Sequence, residues 1–306
     1  MSDEVVRTFT CFGGATTIAV HGNGPLGDAL SALEAARDRL LDWHATFSRF
    51  KPESELSALN RNPQETVRVS PAMARFVRAV VEAAERTDGL VDATLLDEIE
   101  RAGYREDRLR ASMSLPVALA LTPGRQPGSR SEQAPWRRIE VDLDAGIVRR
   151  PPGLRFDGGG IVKGLGADEV AGMLCDYASF AIDCDGDVRV GGSDGVERVI
   201  EVRNPFQGPV VHHVTMTEGA VCTSSIDKRS WMGDGMRPAH QLIDPATGKP
   251  AFTGVVQVTA RAQTALEGEM FAKAALLSGP GGLNRWLPEG GFVFLDDGSY
   301  GEVKPG

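Results

Sequence analysis

The run Phe156-Asp157-Gly158-Gly159-Gly160-Ile161-Val162-Lys163-Gly164-Leu165-Gly166-Ala167-Asp168 constrains the fold more than any other segment. Three adjacent glycines do not sustain a helix or a strand, because glycine loses the most conformational freedom on ordering. The apolar residues that follow predict a helix beginning near Ile161. Amides without side-chain cover at a helix start form a cradle for an anion, and Lys163 adds a point charge. The run matches neither GxxxxGK[ST] nor GxGxxG. A plain turn, with glycine needed only for geometry, explains the same residues, and both readings stand at this point.

The flanking sequence is built of short strands, turns and well-separated helices. Thr8 to Val20 predicts two strands around a corner at Gly13-Gly14. A long helix follows, with Leu26, Leu30, Leu33, Leu40, Trp43 and Phe47 as its apolar stripe. Phe47 to Asn60 predicts a loop with one helical turn. Ser70-Pro71 is a cap followed by proline in the first turn. It predicts a helix burying Met73, Phe76, Val77, Val80, Val81 and Ala84 and ending at Gly89. Ser114 to Pro135, with LTPGRQPGSRSEQAP, predicts the least structured stretch. Hairpins are predicted over Arg138–Arg149 and Phe180–Gly192, and strands over Glu197–Val202, Val210–Met216 and Val255–Thr259. A helix from Thr264 should carry Leu266, Met270, Phe271, Ala274 and Leu277 inward, and GGFVFLDDG a last hairpin strand. This order favours α+β over regular βαβ alternation. The 306 residues suffice for one large core, or for a main domain with a smaller lobe.

Further constellations carry chemistry. In HQLIDPATG, His240 precedes Asp244 by four residues. An imidazole suits proton transfer from a hydroxyl, and Asp244 either orients it or makes turn hydrogen bonds. A structural histidine beside apolar residues is the alternative. Thr223, Ser224 and Ser225 offer hydroxyls to a phosphate or a flavin edge, or cap a turn. Asp183, Asp185 and Asp187 form either a metal or ribose contact or an acidic hairpin turn. Glu269 and Lys273, one helical turn apart, read on their own as a surface ion pair. His212 and His213 point to opposite faces of a strand and make a poor metal pair.

Composition removes some classes of function. A net charge of −9 argues against a broad basic surface for nucleic acid or anionic membrane. Cys11, Cys175, Cys184 and Cys222 form no CxxC pair, which speaks against a zinc site or a disulfide framework and for reduced thiols. No segment approaches the ~20 apolar residues of a membrane span. MSDEVVRTFT carries no leader pattern, so the expected location is the cytoplasm.

Taken in order, these segments resemble the FAD:protein FMN transferase (ApbE-like) family over about Phe12 to Gly279. FSRFKPESELSALN is similar to its N-terminal signature, and TDGLVDAT to its "FDPT" segment. FDGGGIVKGLGAD resembles "DLGGIAKG" with a later aspartate, here Asp168. Asp185-Gly186-Asp187 resembles its GGD turn, Thr223-Ser224 its T-S segment, and HQLIDPATG its H-x-x-D-P-x-T-G motif. The resemblance implies a single ApbE-like (T-fold-like) domain over residues 1–306, antiparallel sheets packed with helices, with a smaller lobe around 60–135.

It also implies an activity. FMN would move from FAD to a Thr or Ser hydroxyl of an intracellular acceptor flavoprotein, with AMP released and magnesium assisting. His240 would help deprotonate the hydroxyl with Asp244 in support. Gly14, Asp157, Gly159, Gly160, Lys163, Asp187, Thr223, Ser224 and Lys273 would line the FAD site, and Glu269 and Val162 would hold the metal. FAD binding with weak or no transfer, and hydrolysis of FAD to FMN and AMP, are the alternatives.

Three departures bear on these expectations. The early "MGT" pattern survives only as Phe12-Gly13-Gly14, and Asp185 replaces the first glycine of GGD. In the A-D-x-x-x-T ligand segment, Glu269 and Lys273 stand for aspartate and threonine. An ammonium cannot ligate magnesium.

Overall fold

The computed structural model describes residues 4–106, 113–122, 124–233 and 237–306. Among them, eight strands form one sheet whose spatial order is the chain order: Val5–Cys11, Gly14–His21, Ser179–Cys184, Asp187–Gly191, Gly219–Ser225, Val255–Ala262, Gly291–Leu295 and Tyr300–Val303. Every neighbouring pair is antiparallel. The rest of the fold consists of excursions from this meander, the longest being residues 22–178, between the second and third strands.

Helices Ala29–Phe47, Val162–Leu174 and Ala265–Ser278 pack on the sheet and on each other. Residues of Val255–Ala262 are buried on both faces of the sheet: the Ala265–Ser278 helix covers one, and the hairpin Arg198–Arg203/Val210–Met216 lies on the other, where Gln257 donates to the Arg203 carbonyl and His212 stacks on Phe292. This is the α+β arrangement of antiparallel strands and helices expected from the sequence.

Several local expectations needed adjustment. The first helix begins at Ala29, capped by Asp28, so Leu26 precedes it and Leu30 is exposed. Its buried stripe instead uses Ala29, Ala32, Leu33, Ala36, Leu40, Trp43 and Phe47, small residues letting the sheet come close. The helix Pro71–Arg86 has the cap read from Ser70. Its end is closed by the left-handed Gly89, whose amide reaches the Ala84 carbonyl at 2.7 Å.

The stretch Ser114–Pro135 is more ordered than its composition suggests, although Pro123 lies outside the described residues. It holds the helix Leu115–Ala120. The amides of Gln126 and Gly128 then bond the carbonyls of Phe252 and Leu277, and that of Ser129 bonds Asp244. Tertiary partners supply what local propensity lacks.

Candidate functional site

The glycine turn forms one wall of a pocket at the start of the Val162–Leu174 helix. Asn60 brackets the chain on the way in, its side chain accepting from the Phe156 amide and donating to the Phe156 carbonyl at 2.8 and 2.9 Å. Asn60 ends the FSRFKPESELSALN segment, so that segment positions the turn. Gly158 is required by close packing: a Cβ there would lie 2.8 Å from the Val162 side chain. Asp157 pairs with Arg49 at 2.9 Å, both largely buried. The Arg49 guanidinium lies over Phe50 and Tyr104, 4.2 and 4.8 Å from their ring centres.

Four other parts of the chain complete the wall. Phe12 and Gly13 come from the first sheet corner, Asp92 from TDGLVDAT, Arg229 from the segment after the Gly219–Ser225 strand, and Gln241 to Ile243 from the HQLIDPATG segment. Lys273 reaches in from the Ala265–Ser278 helix, its Cε 3.4 Å from where a Cβ on Gly160 would stand.

Behind the wall two carboxylates balance two ammonium groups. Lys163 Nζ lies 2.5 Å from Asp187 Oδ2 and 3.3 Å from the Cys184 carbonyl. Burial works to lower the Lys163 pKa. The carboxylates of Asp187 and then Glu269 outweigh it and hold the ammonium above its ordinary range. Glu269 is fully buried. Its Oε1 accepts from Lys273 Nζ at 3.0 Å and its Oε2 from the Gly164 amide at 2.8 Å. The pair read from sequence as a surface bridge is therefore internal, and Glu269 satisfies one of the orphan amides at the start of the Val162–Leu174 helix. Asp168 does the converse, accepting from the Ala265 and Leu266 amides at the start of the partner helix, at 2.8 and 2.9 Å. Each helix thus carries the carboxylate that caps the other.

Of the residues expected from sequence, Asp157, Gly159, Gly160, Val162, Lys163 and Lys273 meet in the pocket wall. Asp187 and Glu269 stand one layer behind. Gly14, Thr223, Ser224, His240 and Asp244 lie outside the lining. Gly14 is covered by the Asp185 side chain, which a Cβ on Gly14 would meet at 2.5 Å. Asp185 adopts the left-handed conformation that glycine usually fills, and Lys228 neutralises it at 3.0 Å. The Thr223 hydroxyl bonds that of Thr259, and its amide bonds the Gly186 carbonyl, tying the strand to the Asp185 turn. Ser224 is buried within the same strand.

Among the described residues His240 and Asp244 have separate hydrogen-bond partners. Asp244 accepts from the amides of Ser129 and Ala246 and from the Thr247 hydroxyl, which makes it the organiser of its own turn and of the neighbouring loop. His240 is buried edge-on against Phe252. Burial lowers its pKa to about 4, against the pull of the Ala251 carbonyl. Its Nδ1 accepts from the Leu242 amide at 3.2 Å. The neutral ring's proton is thereby placed on Nε2, which has no well-formed hydrogen bond.

Arg49, Asp92 and Arg229 were not singled out by sequence reasoning. A cation between Phe47 and Phe50 was the available signal for Arg49. Asp92 uses Oδ1 on the Thr94 amide and hydroxyl, while its buried Oδ2 has no protein partner. Burial raises its pKa, against the two Thr94 hydrogen bonds. Arg229 donates to the Phe12 carbonyl at 3.3 Å.

The description of the ApbE family matches residues 12–292, nearly the whole chain. The chain belongs to the ApbE family. It is 26% identical over 286 residues to the FAD:protein FMN transferase of Rhodobacter capsulatus, covering 90% of this chain and 52% of that one. It is 25% identical over 294 residues to the FAD:protein FMN transferase of Treponema pallidum, covering 90% of this chain and 79% of that one. The chain therefore spans about half the length of the first relative and most of the second. Among solved structures, the ApbE protein of Thermotoga maritima superposes with a TM-score of 0.80 at 23% identity, covering 98% of this chain and 97% of that one.

The magnesium that the resemblance implies finds a poor donor set here. Among the described residues no three His, Cys, Asp or Glu side chains converge on one point. Both oxygens of Glu269 already accept hydrogen bonds, one from an ammonium. The Val162 carbonyl accepts from the Trp43 indole at 3.2 Å. These residues do not fit a divalent ion as they stand. Among the described residues no helix is long and apolar enough to cross a membrane.

Proposed function

We propose that this ApbE-family chain binds FAD in the pocket at the glycine turn and transfers its FMN half to a Thr or Ser hydroxyl of an acceptor flavoprotein, releasing AMP. The observation that carries the reading is convergence. Family segments spread from Phe12 to Lys273 contribute side chains or backbone to one pocket, with Arg49, Lys163, Arg229 and Lys273 on its wall. A cationic wall around a helix start suits a diphosphate.

The acceptor oxygen forms a bond to the FMN-side phosphorus while the bridging P–O bond breaks and AMP leaves with the bridging oxygen. Such transfer depends on positioning and charge compensation. The hydroxyl proton needs an acceptor. His240 lies outside the pocket lining, and with its ring proton on Nε2 and Nδ1 held by the Leu242 amide it has no lone pair left to take that proton. Asp92, in the pocket lining with one buried oxygen that has no protein partner, takes the proton in this reading. Asp244 holds the turn that presents Gln241 to Ile243.

Incubating the protein with FAD and a candidate acceptor, then measuring AMP and acceptor mass, tests the proposal. Stoichiometric AMP with an FMN-sized mass gain is expected. AMP without that gain establishes hydrolysis, and retained flavin without AMP establishes a binding protein. The reading further expects Asp92→Asn to abolish transfer while retaining FAD. A variant that keeps full activity removes Asp92 from the chemistry. A cytoplasmic, intracellular acceptor is part of the same proposal, and fractionating cells of the source with antibody to the chain checks it.

A further inference from the structure

We propose that the positive charge facing the diphosphate in this chain is supplied by its own side chains, Lys273 together with Arg229, so that the nucleotide site works without a divalent cation. The inference rests on FAD binding at this pocket. It concerns the source of the charge, which is a separate matter from the transfer.

Three observations carry it. First, Lys273 lies on the wall beside Gly160, its stem against the glycine turn and its side chain largely buried. It is thus held where the turn would receive a phosphate. Second, the carboxylate that a metal would need is already in use. Glu269 holds Lys273 at 3.0 Å through one oxygen and the Gly164 amide at 2.8 Å through the other. A divalent ion would have to displace an ammonium and open a helix start together. Third, the wall has cationic charge to spare. Arg49 is matched by Asp157, Lys163 by Asp187 and Lys273 by Glu269, whereas Arg229 has no carboxylate within ion-pair distance among the described residues.

The chemistry follows from where these charges sit. A lysine on a helix one turn from its carboxylate is preorganised, so it needs no reorientation when the anion arrives. An ammonium presents three donors. One goes to Glu269 Oε1 and a longer contact runs to the Glu269 carbonyl at 3.5 Å, which leaves a donor for a phosphate oxygen. The substitution of Lys273 for threonine then exchanges a cation site for a fixed cation.

The test is FAD binding to the whole chain, followed by quenching of flavin fluorescence, in excess EDTA and in millimolar magnesium. The dissociation constants should agree within twofold, and the protein alone should leave the electron paramagnetic resonance signal of Mn2+ unchanged at micromolar concentration. Tenfold tighter FAD binding with magnesium, or binding of Mn2+ to the protein alone, overturns the inference and leaves the FAD reading intact. No FAD binding under either condition overturns both. Lys273→Met should weaken FAD binding at least tenfold in EDTA, and Lys273→Arg less than threefold. Equal affinity for Lys273→Met and wild type also overturns the inference. The wild-type titration and the manganese measurement stand even if Lys273→Met does not fold.

Discussion

Three glycines of the Val162–Leu174 helix have environments that dictate opposite responses to the same substitution. A methyl on Gly164 would sit 2.5 Å from the Ala265 carbonyl oxygen and 2.8 Å from the Leu266 amide. That backbone cannot yield without pulling the two helices apart. On Gly166 the methyl would meet the Trp43 ring at 3.0 Å, and on Gly172 it would meet nothing within 4 Å. Alanine gains roughly 0.5–1 kcal/mol over glycine in a helix interior. Overpacking typically costs about 1–3 kcal/mol, more against fixed backbone. Gly172→Ala should therefore stabilise by up to ~1 kcal/mol, less because it lies near the helix end. Gly166→Ala should cost about 1 kcal/mol, and Gly164→Ala about 2–3 kcal/mol.

Urea denaturation followed by circular dichroism measures each value. In a thermal scan the changes are small. At roughly 2 cal/mol/K per residue, a chain of 306 residues shifts its midpoint by only about 1.5 °C per kcal/mol. Gly164→Ala should also loosen the Glu269 bond to the Gly164 amide and so weaken FAD binding, which Gly172→Ala leaves unchanged. A Gly164→Ala protein as stable as wild type would refute the helix contact on which the site geometry rests.

Three further outcomes follow from the same structure. His240 has a folded pKa of about 4 against 6.5 unfolded. The unfolded state therefore binds the extra proton first, and stability is lost as the pH falls from about 6.5 to 4, by roughly 3 kcal/mol at most. His240→Leu should flatten that part of the urea midpoint–pH curve, and an unaltered slope would refute it. Asp157→Ala leaves the Arg49 guanidinium, with a side chain only 7% exposed, without its carboxylate; a loss of about 2–4 kcal/mol is expected by denaturant titration, and a loss under 1 kcal/mol would contradict the buried pair. Asp185→Gly should change FAD affinity less than threefold, because Lys228 already neutralises the carboxylate. A tenfold gain would show that Asp185 repels the ligand.

Much of the fold was legible because local chemistry and tertiary structure agree. The Ser70-Pro71 start, the Thr264 cap and the hairpins around Asp185-Gly186 and Asp144-Ala145-Gly146 are set by residues within a few positions of one another. The turn at Gly158 to Gly160 was legible for the same reason. What escaped depends on distant partners. Leu26 and Leu30 fit the apolar stripe by spacing, yet alanines bury better where a sheet presses close. The Ser114–Pro135 segment looked loose because its bonds run to Phe252, Leu277 and Asp244. At the site, the sequence, with its four-residue spacing, left Asp244 either orienting His240 or making turn hydrogen bonds; it makes the turn bonds, since His240 ends an extended segment, Pro238–His240, and Asp244 opens a turn. The same spacing identified Glu269 and Lys273 correctly because they do lie on a helix. Their burial was invisible from that helix alone, since Glu269 is held by the Gly164 amide of a helix start 105 residues earlier.

The exchange of carboxylate caps between the Val162–Leu174 and Ala265–Ser278 helices sets an order on biosynthesis. During synthesis the glycine turn emerges long before Glu269 does, so the Gly164 amide meets its native acceptor only when the last part of the chain is released. Asp168, made early, waits equally long for the Ala265 and Leu266 amides. A nascent chain that stops short of Glu269 can carry the turn and Lys163, yet neither the buried acid nor the lysine it positions. The proposed nucleotide site is therefore complete only once the closing helix is in place.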